Sequence, residues 1–71
     1  MNEIELYTLP TCPICNMIKT KLEEYGFIYT EKSFDELPDY IKNETDRAPV
    51  LYNGEAYLYS PSDMNVWIKG E

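Results

Sequence analysis

Histidine is absent from this chain of 71 residues, and cysteine occurs only at Cys12 and Cys15. A structural zinc site takes four cysteine or histidine ligands, so one chain supplies half of such a site unless carboxylates or a second chain complete it. The lack of histidine also excludes a cysteine–histidine hydrolase. Any thiol chemistry of the protein therefore depends on these two cysteines.

Positive charge is also scarce, because six lysine and arginine residues stand against 13 aspartates and glutamates, for a net charge of −7. No basic stripe is present that would bind a phosphate backbone or an anionic lipid surface, so we expect neither nucleic acid nor a membrane as a partner. No apolar run approaches the roughly 20 residues of a membrane span, and the first residues do not form a secretory signal. The sequence predicts a single domain, residues 1–71, that works as a monomer in the cytoplasm.

The spacing of the apolar residues predicts seven elements in the order β-α-β-α-β-β-α. The predicted strands are residues 4–8, 27–30, 50–52 and 55–59. The first helix runs from Pro13 to Tyr25 and ends at Gly26. Its core-facing residues are expected to be those at three- and four-residue spacings, namely Ile14, Met17, Ile18, Leu22 and Tyr25.

Local signals predict a second helix and a hairpin. Ser33 and Glu36 fit a capping box at the start of a short helix. The inward-facing residues of this helix are expected to be Leu37, Tyr40 and Ile41. Asn53-Gly54 lies between two apolar runs, which predicts a tight hairpin in which both turn residues take positive φ.

The last helix is predicted to begin at Ser60, which would be its N-cap, with Pro61 in the first helical position. The residues expected to pack it on the sheet are Met64, Trp67 and Ile68. The first β-α-β unit should form a right-handed crossover between parallel strands, and the hairpin should add an antiparallel edge. The fold class is therefore α/β, with a mixed sheet covered by helices.

Pro13 lacks an N–H group and suits the first position of a helix, which makes Cys12 the N-cap. The sulfur of Cys12 would lie beside unpaired N–H groups at the positive end of the helix dipole, and both favour the thiolate. Cys15, one turn further on, is close enough for a disulfide with Cys12 and is expected to be more shielded. These positions predict that Cys12 attacks a substrate disulfide and that Cys15 resolves the mixed disulfide.

The cysteine pair has two other interpretations, a structural disulfide and half of a metal site. A disulfide that closes so short a loop removes little chain entropy and stabilises little. A metal site lacks the further ligands that zinc requires. A Cys-x-x-Cys motif beside a β-α-β pattern is typical of thioredoxin-like redox proteins, and this is the leading interpretation.

Tyr7-Thr8 followed by Cys12-Pro13-Ile14-Cys15 resembles the active-site segment of the glutaredoxins, usually Tyr-Thr/Ser-x-x-x-Cys-Pro-Tyr-Cys. The resemblance extends over nearly the whole chain. It implies a thioredoxin-like fold of the glutaredoxin type, with a four-stranded mixed sheet and three helices. It also implies a dithiol–disulfide oxidoreductase whose catalytic residues are Cys12 and Cys15.

The same resemblance implies a set of substrate-binding residues. Arg47-Ala48-Pro49-Val50 lies where the family has Thr-Val-Pro before a strand. Pro49 would be cis and pack beside Cys12, and the backbone of Ala48 would hydrogen-bond the substrate. Asp63 matches the acid with which glutaredoxins bind the γ-glutamyl end of glutathione. The predicted substrate-binding residues are Tyr7, Thr11, Pro13, Arg47, Ala48, Pro49 and Asp63.

Two departures from the glutaredoxin pattern bear on the reductant. Ser60-Pro61 replaces the Gly-Gly that precedes the acid in the family. Leu9 stands where glutaredoxins often have lysine, and Arg47 would partly replace that charge. The segment Pro61-Ser62-Asp63-Met64 resembles the Pro-Asp-Met region of the NrdH-redoxins, which are donors to ribonucleotide reductase reduced by thioredoxin reductase. Glutathione and thioredoxin reductase are therefore both candidate electron sources.

The leading hypothesis is a small enzyme that reduces disulfide-containing proteins or glutathione mixed disulfides, with no metal and no tightly bound cofactor. Glutathione is a candidate reductant. The first alternative is an NrdH-redoxin-like electron donor to ribonucleotide reductase, recharged by thioredoxin reductase. The others are a non-enzymatic metal or iron–sulfur carrier bridged through Cys12, and a partner-docking module with vestigial redox activity.

Overall fold

The computed structural model describes residues 3–70 of the chain. Its elements are β1 (Glu5–Thr8), α1 (Pro13–Glu24), β2 (Thr30–Ser33), a 3-10 turn (Phe34–Glu36), α2 (Asp39–Lys42), β3 (Val50–Tyr52), β4 (Tyr57–Leu58) and α3 (Pro61–Lys69). The predicted order of strands and helices is confirmed. No helix in this part of the chain is long and apolar enough to cross a membrane.

The four strands form one mixed sheet in the order β2-β1-β3-β4. β1 pairs in parallel with β2, from Glu5 opposite Thr30 to Thr8 opposite Ser33. β3 runs antiparallel to both β1 and β4. The predicted parallel crossover and antiparallel hairpin edge are therefore both present.

Neighbouring residues of β1 point to opposite faces of the sheet, because side chains alternate along a strand. Leu6 belongs to a core cluster that α1 and α3 cover, together with Ile18, Leu22, Leu51, Met64 and Ile68. Tyr7 belongs to a second cluster on the other face, with Leu37, Ile41 and Val50. The sheet thus lies between α1 and α3 on one side and α2 on the other.

The buried face of α1 differs from the prediction. The residues that α1 buries are Cys15, Ile18 and Leu22. Ile14, Met17 and Tyr25 were expected in the core but are exposed. Several three- and four-residue rows fit the apolar pattern of this helix, and its docking on the sheet selects the row that contains Cys15. Cys15, the second of the two cysteines, therefore lies in the core.

β2 begins at Thr30, so the predicted strand at residues 27–30 is wrong except for its last residue. Gly26 ends α1 with φ of 78°, as predicted, and the Phe27 N–H then donates back to the Leu22 carbonyl oxygen at 2.9 Å. This is the closing bond of a Schellman motif. The Phe27 ring lies 5.0 Å from that of Trp67 on α3. The apolar residues after α1 therefore close the helix and pack on α3, and strand pairing starts later.

The capping box at Ser33 and Glu36 forms as predicted, but it begins only the 3-10 turn. Leu37 precedes a proline and is extended, which ends the turn before α2 begins at Asp39. Leu37 and Ile41 are buried as expected, whereas Tyr40 is 66% exposed and its predicted inward position is wrong.

The hairpin between β3 and β4 is longer than the predicted two-residue turn. Gly54 has φ of 95°, whereas Asn53 does not adopt positive φ. The Asn53 side-chain oxygen instead accepts the N–H groups of Glu55 and Ala56, both at 2.9 Å. This Asx arrangement satisfies the loop internally, which shortens β4 to Tyr57–Leu58.

The core burial of α1 can be tested with a matched pair of isoleucines. Ile18 is fully buried, whereas Ile28 is 91% exposed. We expect Ile18→Ala to lower the free energy of unfolding by about 3 kcal/mol, because it leaves a cavity. Ile28→Ala removes the same atoms and should change it by less than about 0.5 kcal/mol. Urea unfolding of both variants measures the difference, and equal losses would contradict the placement of α1.

Candidate active site

Cys12 and Cys15 form a disulfide at the start of α1, with their Cα atoms 5.2 Å apart. Cys12 is the N-cap and has an extended backbone, and Pro13 takes the first helical position. The Cys12 Sγ accepts the Cys15 N–H at 3.1 Å. The predicted helix start is confirmed, and the Cys12 sulfur caps a backbone donor that would otherwise have no partner in the helix.

The two cysteines differ in accessibility. Cys15 is 1% exposed and faces the core. Cys12 is half-buried, and its neighbours Thr11, Pro13 and Ile14 are exposed. A disulfide on another molecule can therefore approach Cys12, whereas Cys15 is almost completely covered. The expected shielding of Cys15 is confirmed.

A cavity of about 230 Å³ lies beside Cys15. It is lined by Thr8, Leu9, Pro10, Cys15, Asn16, Lys19, Glu31 and Ser33. The Thr8 Oγ1 donates to Glu31 Oε2 at 2.8 Å, and the Lys19 Nζ donates to the same oxygen at 3.2 Å. The hydrogen bond from Thr8, and then that from Lys19, holds the pKa of Glu31 below its ordinary value.

Sequence reasoning missed the polar residues of this cavity. Lys19 could have been found, because it lies four residues after Cys15 and so shares its side of the helix. Glu31 had no such signal, since its place depends on the register of β2 against β1.

Ala48 and Pro49 precede β3, and the peptide bond between them is cis, as the resemblance implied. Pro49 is fully buried and Ala48 half-buried. Val50, the first residue of β3, pairs with Tyr7 near the carboxyl end of β1. Pro49 therefore enters the sheet at the edge from which the chain continues to Cys12. Direct packing of Pro49 on Cys12 stays a prediction.

Asp63 lies in the first turn of α3 and is exposed. β4 is antiparallel to β3 and so points the same way as β1, which brings the start of α3 to the same sheet edge as Cys12. Ser60 is the N-cap, as predicted, and its Oγ accepts the Asp63 N–H at 3.1 Å. The topology thus brings Cys12, Pro49 and Asp63 to one edge.

Tyr7 and Arg47 differ in their surroundings. Tyr7 is 4% exposed, and its hydroxyl donates to Glu5 Oε1 at 2.6 Å. Burial, and then the bond to Glu5, raises the pKa of Tyr7. Arg47 is exposed, and its backbone N–H donates to Thr45 Oγ1 at 3.2 Å. The substrate contacts predicted for both residues stay predictions, and the structure gives the Tyr7 hydroxyl an internal partner.

Within residues 3–70, no three acidic or cysteine side chains group closely enough to hold a metal ion. A sheet between two helical layers, with the cysteine pair at the start of the first helix, is the arrangement of the thioredoxin-like superfamily. The fold and the position of the cysteine pair define the class of protein as thioredoxin-like. The chain matches the sequence pattern of the glutaredoxins over residues 4–56, and the protein belongs to the glutaredoxin family.

Solved structures agree on the fold. A glutaredoxin from Brucella melitensis is similar with a TM-score of 0.76 and 21% identity, over 99% of this chain and 82% of its own. NrdH-redoxin from Escherichia coli is similar with a TM-score of 0.67 and 23% identity, over 89% of this chain and 91% of its own.

A trimeric glutathione transferase from Leishmania is similar with a TM-score of 0.76 and 18% identity. All of this chain matches, but it spans only 17% of the transferase. No curated protein sequence matches the chain.

The hydrogen bonds that Tyr7 and Lys32 donate to Glu5 predict that the stability of the fold depends on pH. Glu5 accepts hydrogen bonds from Tyr7 and from Lys32 Nζ, the latter at 2.9 Å, and these lower its pKa from the ordinary 4.5. The carboxylate therefore stabilises the fold above that value, and this contribution is lost as the pH falls through the lowered pKa.

We expect Glu5→Gln to lower the free energy of unfolding by about 1 kcal/mol near neutral pH. The difference from the unsubstituted protein should shrink as the medium is acidified below the ordinary pKa of Glu5, which urea unfolding at several pH values will show. Glu55→Gln, in the exposed hairpin loop, is the control and should show no such trend. A difference for Glu5→Gln that stays constant with pH would contradict this assignment.

Proposed function

We propose that the protein reduces disulfides of other proteins by a dithiol mechanism in the cytoplasm, where thiols are kept reduced. The observation that carries the proposal is that the two cysteine sulfurs differ in hydrogen bonding and in exposure to solvent. The Cys12 Sγ accepts a backbone N–H at the start of α1, whereas Cys15 is 1% exposed beneath it. Donors and the helix dipole favour the thiolate at Cys12, which is the attacking species in disulfide exchange.

The reaction proceeds in two exchanges. The Cys12 thiolate attacks one sulfur of the substrate disulfide, forms a mixed disulfide and expels the other substrate sulfur as a thiolate. Cys15 then attacks the Cys12 Sγ, which closes the intramolecular disulfide and releases the second substrate sulfur. Two electrons pass from the protein to the substrate, and the two substrate sulfurs take up protons as thiols. The Cα separation of 5.2 Å allows the closing bond with little movement of α1.

The sheet edge around Cys12 supports alignment of the substrate. Ala48 and Pro49 reach it at the start of β3, and the backbone of Ala48 is proposed to hydrogen-bond the substrate chain. Asp63 and Arg47 are proposed as charged contacts, because both are exposed. Thr11, Pro13 and Tyr7 complete the proposed substrate-binding set. The half-exposed Leu9 and Ile14 give the region around Cys12 apolar surface, which suits a polypeptide substrate.

Replacing each cysteine separately tests the division of roles. Cys12→Ser should abolish reduction of a disulfide-bonded test protein such as insulin, because the attacking sulfur is lost. Cys15→Ser should still form mixed disulfides but fail to release them, so a covalent adduct accumulates on a non-reducing gel. Retained activity of Cys12→Ser would contradict the mechanism, and so would adduct formation in a Cys12→Ser variant alone.

For the reductant, we propose a flavoprotein of the thioredoxin reductase type rather than glutathione. At the start of α3, the Asp63 N–H donates a hydrogen bond to Ser60 Oγ, and Pro61 has no N–H. The helix end therefore has fewer free donors for a carboxylate of glutathione. The fold likeness to NrdH-redoxin supports this choice. We propose that the protein donates electrons to an enzyme such as ribonucleotide reductase.

Parallel assays of the oxidised protein test the electron source. Thioredoxin reductase with NADPH should reduce the Cys12–Cys15 disulfide about tenfold faster than millimolar glutathione, a difference of about 1.4 kcal/mol in barrier. Ser60→Gly frees the Asp63 N–H with little loss of helix stability, and it should raise the glutathione rate alone. Faster reduction by glutathione in the unsubstituted protein would reverse the assignment.

A further inference from the structure

The second exchange requires a thiolate at a buried position. Cys15 is 1% exposed, and burial disfavours the charged form of a thiol. The backbone N–H of Cys15 is directed to the Cys12 sulfur, so it does not assist the Cys15 sulfur. The cavity of about 230 Å³ is where Cys15 meets other polar groups, and its lining contains a cation.

Lys19 is that cation. It lies on α1 four residues after Cys15, a spacing that puts two side chains on the same side of a helix, and both residues line the cavity. Its Nζ is 3.2 Å from Glu31 Oε2, and Glu31 is itself fixed by Thr8 at 2.8 Å. A lysine on α1 is thereby tied to β2 and β1, so its ammonium group stays at the cavity.

The charges around Cys15 come from two elements. Lys19 on α1 and Glu31 on β2 are the charged residues of the cavity, and the remaining lining residues are neutral. Both hydrogen bonds of Glu31 end on Oε2, so its negative charge is offset by two donors. Lys19 uses one of its three N–H donors on Glu31, which leaves two for the cavity.

We propose that Lys19 is a positioning residue for the resolving step, and that its ammonium group, held by Glu31, favours the thiolate of Cys15. The proposal rests on the resolving role of Cys15 given above. In this step Cys15 loses its proton to solvent through the open cavity, and its sulfur forms a bond to Cys12 Sγ. The bond from Cys12 to the substrate sulfur breaks, and that sulfur leaves with the electron pair and is protonated by water.

The test separates the two exchanges by stopped flow. A mixed disulfide between Cys12 and a small aromatic thiol is formed, and release of the thiol is followed by its absorbance at several pH values. Lys19→Met should slow release about threefold at neutral pH, a modest effect because the ion pair is partly exposed. It should also shift the dependence of the release rate on pH to higher pH. Lys19→Arg should restore the rate, since it keeps the charge.

Lys21→Met is the matched control, because it removes the same charge from the same helix outside the cavity. The first exchange, measured by attack of reduced protein on a disulfide, should be unchanged in every variant and reports correct folding. The double variant Lys19→Met/Glu31→Gln should release more slowly than Glu31→Gln alone. Because both of these variants lack the Glu31 carboxylate, any difference between their release rates is due to the loss of the Lys19 charge and not to an unpaired Glu31.

Two results would overturn the inference. One is release from Lys19→Met at the rate of Lys21→Met, with the same pH profile. The other is equal release from the double variant and Glu31→Gln. In either case an adduct that persists in Cys15→Ser would leave the proposed function intact. If Cys15→Ser released the thiol as fast as the unsubstituted protein, the resolving role itself would be wrong, and the inference would fail with it.

Discussion

The hydrogen bond from the Cys15 N–H to the Cys12 Sγ determines where α1 begins, and the arrangement of the site follows from that start. Pro13 occupies the first helical position without leaving a donor unsatisfied. Counting from this start, Cys15 falls on the row of α1 that meets the sheet, together with Ile18 and Leu22. One sulfur therefore caps the helix at the surface while the other joins the core. A helix that started one residue later would rotate Cys15 by about 100° and remove this difference.

The sheet then brings distant segments of the chain to the same place. Because β3 is antiparallel to β1 and β4 is antiparallel to β3, the end of β1, the start of β3 and the end of β4 share one edge. Cys12 follows the first of these, Pro49 precedes the second, and α3 follows the third. The parallel partner β2 contributes to the cavity beside Cys15, because Glu31 accepts hydrogen bonds from Thr8 on β1 and from Lys19 on α1. The substrate edge and the cavity beside Cys15 are thus built by different strands.

Predictions from the sequence held where the signal was local and failed where several packing solutions were equivalent. The caps at Cys12 and Ser60 were correct, because each depends on a side chain and backbone groups within three residues. The strand at residues 27–30 was misplaced, because an apolar run serves equally well to close a helix, pack on another helix or pair in a sheet. Tyr40 was expected in the core, but α2 is a single short turn that buries little more than Ile41.

The sequence alone sets the chemistry of the site: two cysteines at a spacing that allows a disulfide, a proline that starts the helix between them, and no histidine to suggest another use. It also determined the order of the elements, since helix caps, turn residues and apolar periodicity act over short distances. The burial of Cys15 and the pairing of Lys19 with Glu31 beside it depend instead on the tertiary packing. Burial depends on which face of α1 docks on the sheet, and the ion pair depends on the register of β2 against β1. Both are set by contacts between residues far apart in the chain, which no local pattern encodes.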